Sequence, residues 1–403
     1  MRAFRFLPRC LGSVLAALLA APPAAAQDSN FALQPRPAAA AATGWTFTPS
    51  LLYQTAWDDN VLLRGRGDQS PGDVLNLVNP RADLHFLGRK GMFDLNYDGG
   101  FLFYRRLTTL NSYDQHGNVQ ARRHLTPHVV LFVENSAAIV PTTELVDFIA
   151  VPFIRTGSKL DALRGGVEAA LSKFTTITAT YEFQWVQFNR DSVYNAFLRG
   201  GHSNGGTFLL RRAVSERTTI LGTYDIRHAI VADGGTFDVQ NADVGIERKL
   251  SDATRIFAAG GVSYLGVSDR GPARTGPSLR AGLTHAYERA TVDLSYARSY
   301  VPAFGFGGTY QNQEFSARVH VPLARRLYVQ SSASYRTTDP LIAGDLSLKS
   351  LWIEGVAGYA VQPWLHLEAF YSGTHQDTQR AGGQIDRSRI GFQISTTTPM
   401  RLR

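Results

Sequence analysis

Thr175-Thr-Ile-Thr-Ala-Thr-Tyr-Glu-Phe-Gln-Trp185 alternates its side chains with a period of two. Ile177, Ala179, Tyr181, Phe183 and Trp185 fall on one face; Thr178, Thr180, Glu182 and Gln184 fall on the other. Strict alternation is the pattern of a strand with one apolar and one polar face. Leu327-Tyr-Val-Gln-Ser-Ser-Ala-Ser-Tyr335 repeats it, and similar segments run from about residue 45 almost to the C-terminus without a long helical pattern between them. A chain built of such strands satisfies its backbone most economically by closing into a barrel within a membrane, where no sheet edge can stay open.

The alternation predicts strands near 45–57, 74–87, 92–106, 113–123, 128–139, 160–171, 175–188, 202–213, 218–230, 236–249, 254–267, 276–288, 290–301, 310–322, 327–337, 346–360, 364–376 and 386–397. That is eighteen, with sixteen as the alternative count, and an even number places both termini on one side. Tight turns follow every second strand, among them Leu87-Gly-Arg-Lys-Gly91, Ser251-Asp-Ala253 and Gln362-Pro363. The other links are longer, as at 58–73, 140–159 and 189–201. Barrels of outer membranes have short periplasmic turns and longer extracellular loops, so the asymmetry predicts the orientation. The expected fold class is therefore all-β, a transmembrane antiparallel up-and-down barrel spanning residues 45–403.

Residues 1–26 read as a secretory signal peptide. Arg2, Arg5 and Arg9 form the basic start, Leu11 to Ala21 the apolar stretch, and Ala24-Ala25-Ala26 the cleavage site. Cys10, the one cysteine, lies inside it, so the mature chain is expected to carry no disulfide or thiol chemistry. Residues 27–44, rich in Ala and Pro, read as a flexible periplasmic leader. The whole chain has a net charge of +8, and losing the three leader arginines leaves +5. With no basic run, that balance excludes a nucleic-acid partner.

One parity of each strand must face lipid, where a buried Arg or Lys costs about 2–4 kcal/mol at mid-bilayer. The apolar parity includes Ile220, Tyr224 and Ile226; Phe315, Ala317 and Val319; and Ile390, Phe392 and Ile394. The opposite parity gives the pore-lining candidates: Asp94, Asn96 and Asp98; Glu182 and Gln184; Asp225 and Arg227; Asp293; Glu314 and Arg318; Arg336; His366 and Glu368; and Arg389. His320 and Gln393 share that face. Both signs of charge occur, which argues against strong ion selectivity. Any single member also fits a structural ion pair bracing the wall. Tyr328 and Trp352 fall on the same parity and could stack on sugar rings.

No His-Glu-x-x-His, Gly-x-Ser-x-Gly or phosphate-loop pattern is present, and no catalytic residue, metal site or cofactor is expected. Asp58-Asp59-Asn60 could bind Ca²⁺ or supply the acidic pair of an outer-membrane hydrolase; turn capping is the plainer reading.

From Phe47 to about Val140 the chain resembles a family of outer-membrane porins (the β-barrel porin 2 type) encoded in exopolysaccharide and capsule gene clusters. The resembling stretches are Thr55-Ala-Trp-Asp-Asp-Asn-Val61, Val78-Asn-Pro-Arg-Ala-Asp83, Asp94-Leu-Asn-Tyr-Asp98, Phe103-Tyr-Arg-Arg106 and Ala121-Arg-Arg-His-Leu-Thr-Pro127. The resemblance implies a barrel of about eighteen strands giving a secreted polysaccharide its path across the outer membrane, beside a periplasmic polysaccharide-export partner. A porin for solute uptake or general diffusion has the same architecture running inward. The implied partners are outer-membrane lipid and a polysaccharide or other polar solute. One feature departs from expectation: the chain ends Thr398-Pro-Met-Arg-Leu-Arg403, without a terminal aromatic.

Overall fold

The computed structural model describes residues 43–66, 70–142, 155–189, 198–232, 235–268, 271–287, 289–305, 308–341, 347–378 and 383–402. The expected signal peptide, residues 1–26, and nearly all of the expected leader, residues 27–44, lie outside these residues. The first six strands are β1 (Gly44–Asp58), β2 (Asp73–Leu87), β3 (Gly91–Tyr104), β4 (Ser112–Thr126), β5 (Val129–Val140) and β6 (Ser158–Ala170). The next six are β7 (Thr175–Phe188), β8 (Gly201–Ser215), β9 (Thr218–Val231), β10 (Gly235–Lys249), β11 (Thr254–Leu265) and β12 (Arg274–Tyr287). The last are β13 (Ala290–Ala303), β14 (Gly308–Pro322), β15 (Leu327–Pro340), β16 (Leu348–Gln362), β17 (Leu365–Thr378), β18 (Gln384–Thr397) and the short β19 (Met400–Leu402).

Each strand pairs antiparallel with the next, and β18 returns to β1, so the sheet closes on itself. All eighteen expected strands are present within a few residues of their expected ends. The C-terminus adds one element that the alternation did not show. Pro399 has no N–H for the ladder, so β18 ends at Thr397, and pairing resumes as β19 against Trp45–Phe47. Met400 and Leu402 thereby continue the outward apolar row of Ile390, Phe392 and Ile394, and the last strand stands where the sequence placed it.

Register fixes the two faces. Trp57, Tyr53 and Leu51 of β1 stand opposite Ile390, Ile394 and Thr396 of β18, while Asp58 and Gln54 stand opposite Arg389 and Gln393. The outward parity carries the exposed large apolar residues, among them Leu131, Tyr181, Ile220, Ile226, Val244, Leu279 and Phe392. Trp45, Phe86 and Phe93 cluster outside the periplasmic end, with ring centroids 4.7 and 6.1 Å from Trp45, as an interfacial aromatic girdle requires. Ala317 is an exception within the outward set, because its neighbours cover it to 7% exposure.

Four outward tyrosines share a device. Tyr53 Oη donates to Asn76 Oδ1 at 3.0 Å, Tyr181 to Asn204 Oδ1 at 2.8 Å and Tyr224 to Gln240 Oε1 at 2.9 Å; Tyr371 Oη lies 3.4 Å from Ser388 Oγ. Each reaches from an odd strand to the next even one, partnering a polar group that would otherwise face lipid bare.

Candidate functional site

The inward face is a belt of paired charges. On β7, β8 and β9 the register places Glu182, Gly205 and Arg227 in one row, and the two glycine hydrogens at 205 leave the row open. Arg227 therefore reaches across β8 to Glu182 at 2.8 Å and to Gln184 at 3.4 Å, while Arg164 of β6 lies 3.7 Å from Glu182 on the other side. Asp225 accepts from Thr207 at 3.1 Å and from Asn241 at 3.3 Å. Glu314 accepts from Arg336 Nη2 at 2.9 Å and Nε at 3.1 Å, and from the Ser334 hydroxyl. Asp293 accepts from Thr284 at 2.8 Å and stands opposite Arg318, which is solvent-exposed. Asp94 Oδ1 lies 2.5 Å from His85 Nδ1; Asn96 faces Asp83 and Asn118; Asp98 faces Arg81 and His116. Glu368 accepts from the Tyr328 hydroxyl and the Gln393 amide, with His366 one inward position below it. Arg389 lies 3.3 Å from Asp58.

All fourteen candidates thus fall on one face, and most of those with charge are joined to each other or to partners that sequence reasoning passed over. Those partners include Arg164, His85 and Asp58, and further inward pairs join Arg122 with Glu168 at 3.2 Å, Arg211 with Glu247 at 2.7 Å and Arg280 with Asp243 at 2.9 Å. Each lies on the polar parity of its strand, which was the signal available.

Two readings of individual residues meet the structure directly, one of them overturned. Tyr328 is only 8% exposed. Its ring packs against Gly358, where an added Cβ would stand 2.2 Å from Cζ. With its hydroxyl committed to Glu368, Tyr328 offers no free face for stacking on a sugar. Asp58 is the second case: it is fully buried and bound by Arg387 and Arg389. Asp59 accepts from the Ser388 N–H at 2.7 Å, and the Asn60 side chain donates to Arg64 and Asp386 carbonyls. These acids close the barrel seam and cap the loop, which is the plainer of the readings given above.

Polar lining gives way to apolar packing at the extracellular end. Of the largest fully buried side chains, all but Leu294 lie there: Asp58, Val61, Val140, Val186, Phe237, Val239, Phe304, Thr309, Tyr310 and Gln376. One cluster joins inward residues of β5 to β11 with Leu198, Tyr300, Phe304 and Leu341. A second holds Val61, Leu75 and Tyr104, with Leu102, Leu107 and Leu110 packed against it. Arg155 covers the second, its guanidinium 4.9 Å from the Tyr104 ring and 2.8 Å from the Leu110 carbonyl.

The end of β13 supplies part of the first cluster by parting from β12 while it stays paired with β14. Pairing of β12 with β13 stops at Leu279 and Arg298. Beyond that point the Tyr300 N–H donates to Ser263 Oγ at 3.3 Å, on the inward face of β11. The Tyr300 ring fills the space above Gly276, whose ideal Cβ would lie 2.3 Å from the hydroxyl. Phe304 reaches Gly201 of β8, and Gly305 exchanges two backbone hydrogen bonds with Arg199, at 2.5 and 2.8 Å. The β13 tip therefore spans part of the mouth toward β8.

An even-stranded, closed antiparallel barrel with an apolar outer belt and a charged interior has one environment that satisfies both faces. It is an outer-membrane barrel. No family model matches the sequence, and no curated protein matches it. Solved structures similar to it include OccAB3 of Acinetobacter baumannii, 12% identical, with 88% of this chain and 99% of that one aligned at a TM-score of 0.46. OpdK of Pseudomonas aeruginosa with vanillate is 10% identical, over 88% and 99% of the two chains, at 0.46. The FrpB iron transporter of Neisseria meningitidis is 10% identical, over 83% of this chain and 62% of that one, at 0.47. At such values the likeness is one of barrel architecture, and the fold rests on the strand register itself.

Proposed function

We propose that this barrel is a passive, non-enzymatic porin for small polar solutes, narrowed at its extracellular mouth. The observation that carries the reading is the contrast along the interior: a charged, hydrogen-bonded belt at mid-depth beneath a mouth packed with apolar side chains. A wall in which Glu182 is shared by Arg164 and Arg227, and Glu314 is clasped by Arg336, presents polar groups held in fixed positions. That lining suits ions and small hydrated solutes, and the fourteen inward candidates are its contact surface. The packed mouth favours small solutes over a wide path for a polymer, so solute uptake has better support than the exopolysaccharide export implied by the resemblance.

Single-channel recording of the refolded protein in a planar bilayer tests this. A small ionic conductance, with small sugars and organic ions passing in vesicle assays, is the expected result. A large conductance blocked by acidic polysaccharide would move the assignment to polymer export. A protein that conducts under no condition would overturn the porin reading.

A further inference from the structure

The β12–β13 seam is open by sequence. In β12 the Ala286 N–H donates back to Ala253, toward β11. N–H groups alternate sides along a strand, so odd-numbered residues of β12 point toward β13, Pro277 among them. The same count along the β12–β13 register directs the even-numbered residues of β13, Pro302 among them, toward β12. Continuing that register would set Pro277 opposite Tyr300 and Thr275 opposite Pro302. Each proline then lacks the donor its partner's carbonyl needs. The seam sits above Leu279, which is exposed on the outward face.

Behind the seam lies the apolar chamber. On β7, β9 and β10 the inward face switches from polar to apolar toward the extracellular end. Val186 and Phe188 follow Gln184, Ala229 and Val231 follow Arg227, and Phe237 and Val239 precede Asn241 and Asp243. Tyr300 and Phe304 now fill this chamber, and they lie at the end of β13, which parts from β12 while its pairing with β14 continues to Ala303.

We propose that the chamber is a binding site for a small amphiphilic solute, entering through the β12–β13 seam as the Tyr300–Phe304 tip withdraws. The solute's apolar part takes the place of the two aromatic rings, and its polar part meets the charged row at Arg227 and Arg280 below. This rests on the porin reading for the onward path through the barrel. The seam and chamber are tested separately from it.

The probe is N-phenyl-1-naphthylamine, an uncharged aromatic amine that fluoresces on reaching an apolar phase. Its entry rate is measured in cells bearing the full protein in their outer membrane, with heat-shifted gel mobility confirming that each variant is folded. Phe304→Ala shrinks the plug and should speed entry several-fold. Pro277→Thr with Pro302→Thr restores both donors and should slow entry to the level of cells lacking the protein, with the potassium chloride conductance of the purified barrel no lower than wild type, because the tip is drawn out of the mouth and into the ladder. Equal dye entry in wild type and both variants would overturn the proposal. So would a proline variant that lowers ionic conductance as much as dye entry, because the seam would then be no separate route. A wild type that admits dye but carries no current would defeat the porin reading and keep the seam.

Discussion

Asp58, at the end of the first strand, and Arg387, near the start of the last long one, form a buried ion pair across the closing seam of the barrel. Arg387 Nε lies 3.0 Å from each Asp58 carboxylate oxygen, and the side chains are 0% and 3% exposed. Arg389 joins from the next inward position at 3.3 Å. The two strands are over three hundred residues apart in sequence, so this contact acts as a latch on closure.

Removing one partner of such a pair leaves a buried charge without compensation. Asp58→Ala should therefore destabilise the folded barrel by about 3–5 kcal/mol. The check is urea unfolding in detergent followed by heat-dependent gel mobility. Replacing both Asp58 and Arg387 with apolar residues of similar volume should recover much of the loss. Equal stability of Asp58→Ala and wild type would show that closure rests on the backbone ladder alone.

The Glu182 row gives a prediction about ions. Arg227→Ala removes a positive group from the belt and leaves Glu182 with Arg164 alone, 3.7 Å away. The reversal potential in a potassium chloride gradient should shift toward cation preference. Glu182→Gln should shift it the other way, because it frees two guanidinium groups. If neither variant moves the potential, this row lies outside the conducting path.

The strands and turns were legible because lipid imposes two demands visible in sequence: a period of two, and a partner for every backbone group. Tight turns such as Ser251–Ala253 then marked every second connection. The inward parity was legible for the same reason, so Glu182, Arg227 and Glu314 could be named. Their partners could not, because Arg227 reaches Glu182 only through the stagger of β7, β8 and β9. The packed mouth was hidden too. Val186, Phe237 and Val239 are apolar residues on a polar parity, and along one strand they look like irregularities. Asp58 looked like a loop acid because its partner lies at the other end of the chain. Pro277 and Pro302 were a further overlooked signal, since a proline inside a strand pattern marks an edge.

The outward Tyr181–Asn204 pair is expected to contribute to stability in spite of its position on the surface. Tyr181 Oη donates to Asn204 Oδ1 at 2.8 Å on the face turned to lipid, where no water can replace the bond. Tyr181→Phe should cost about 1–3 kcal/mol by leaving the Asn204 carbonyl unpaired. Tyr181→Phe combined with Asn204→Leu should return most of it. The comparison is by urea titration in lipid vesicles. A single variant as stable as the double one would mean that the Asn204 amide finds another partner.

Gly358 tests whether the Tyr328 platform is fixed. The ring lies so close to this glycine that an alanine Cβ would stand 2.2 Å from Tyr328 Cζ, with its hydroxyl held by Glu368 and its sides flanked by His320 and His366 at 5.9 and 6.4 Å. Gly358→Ala must therefore push the ring inward or displace the strand. Overpacking of this kind costs typically about 1–3 kcal/mol. A ring pushed into the lumen also breaks the bond to Glu368 and narrows the interior, so conductance should fall together with stability. Tyr328→Ala on the Gly358→Ala background should restore both, because it removes the atom in the way. A Gly358→Ala barrel with wild-type conductance would show that the ring shifts along the wall rather than into the lumen.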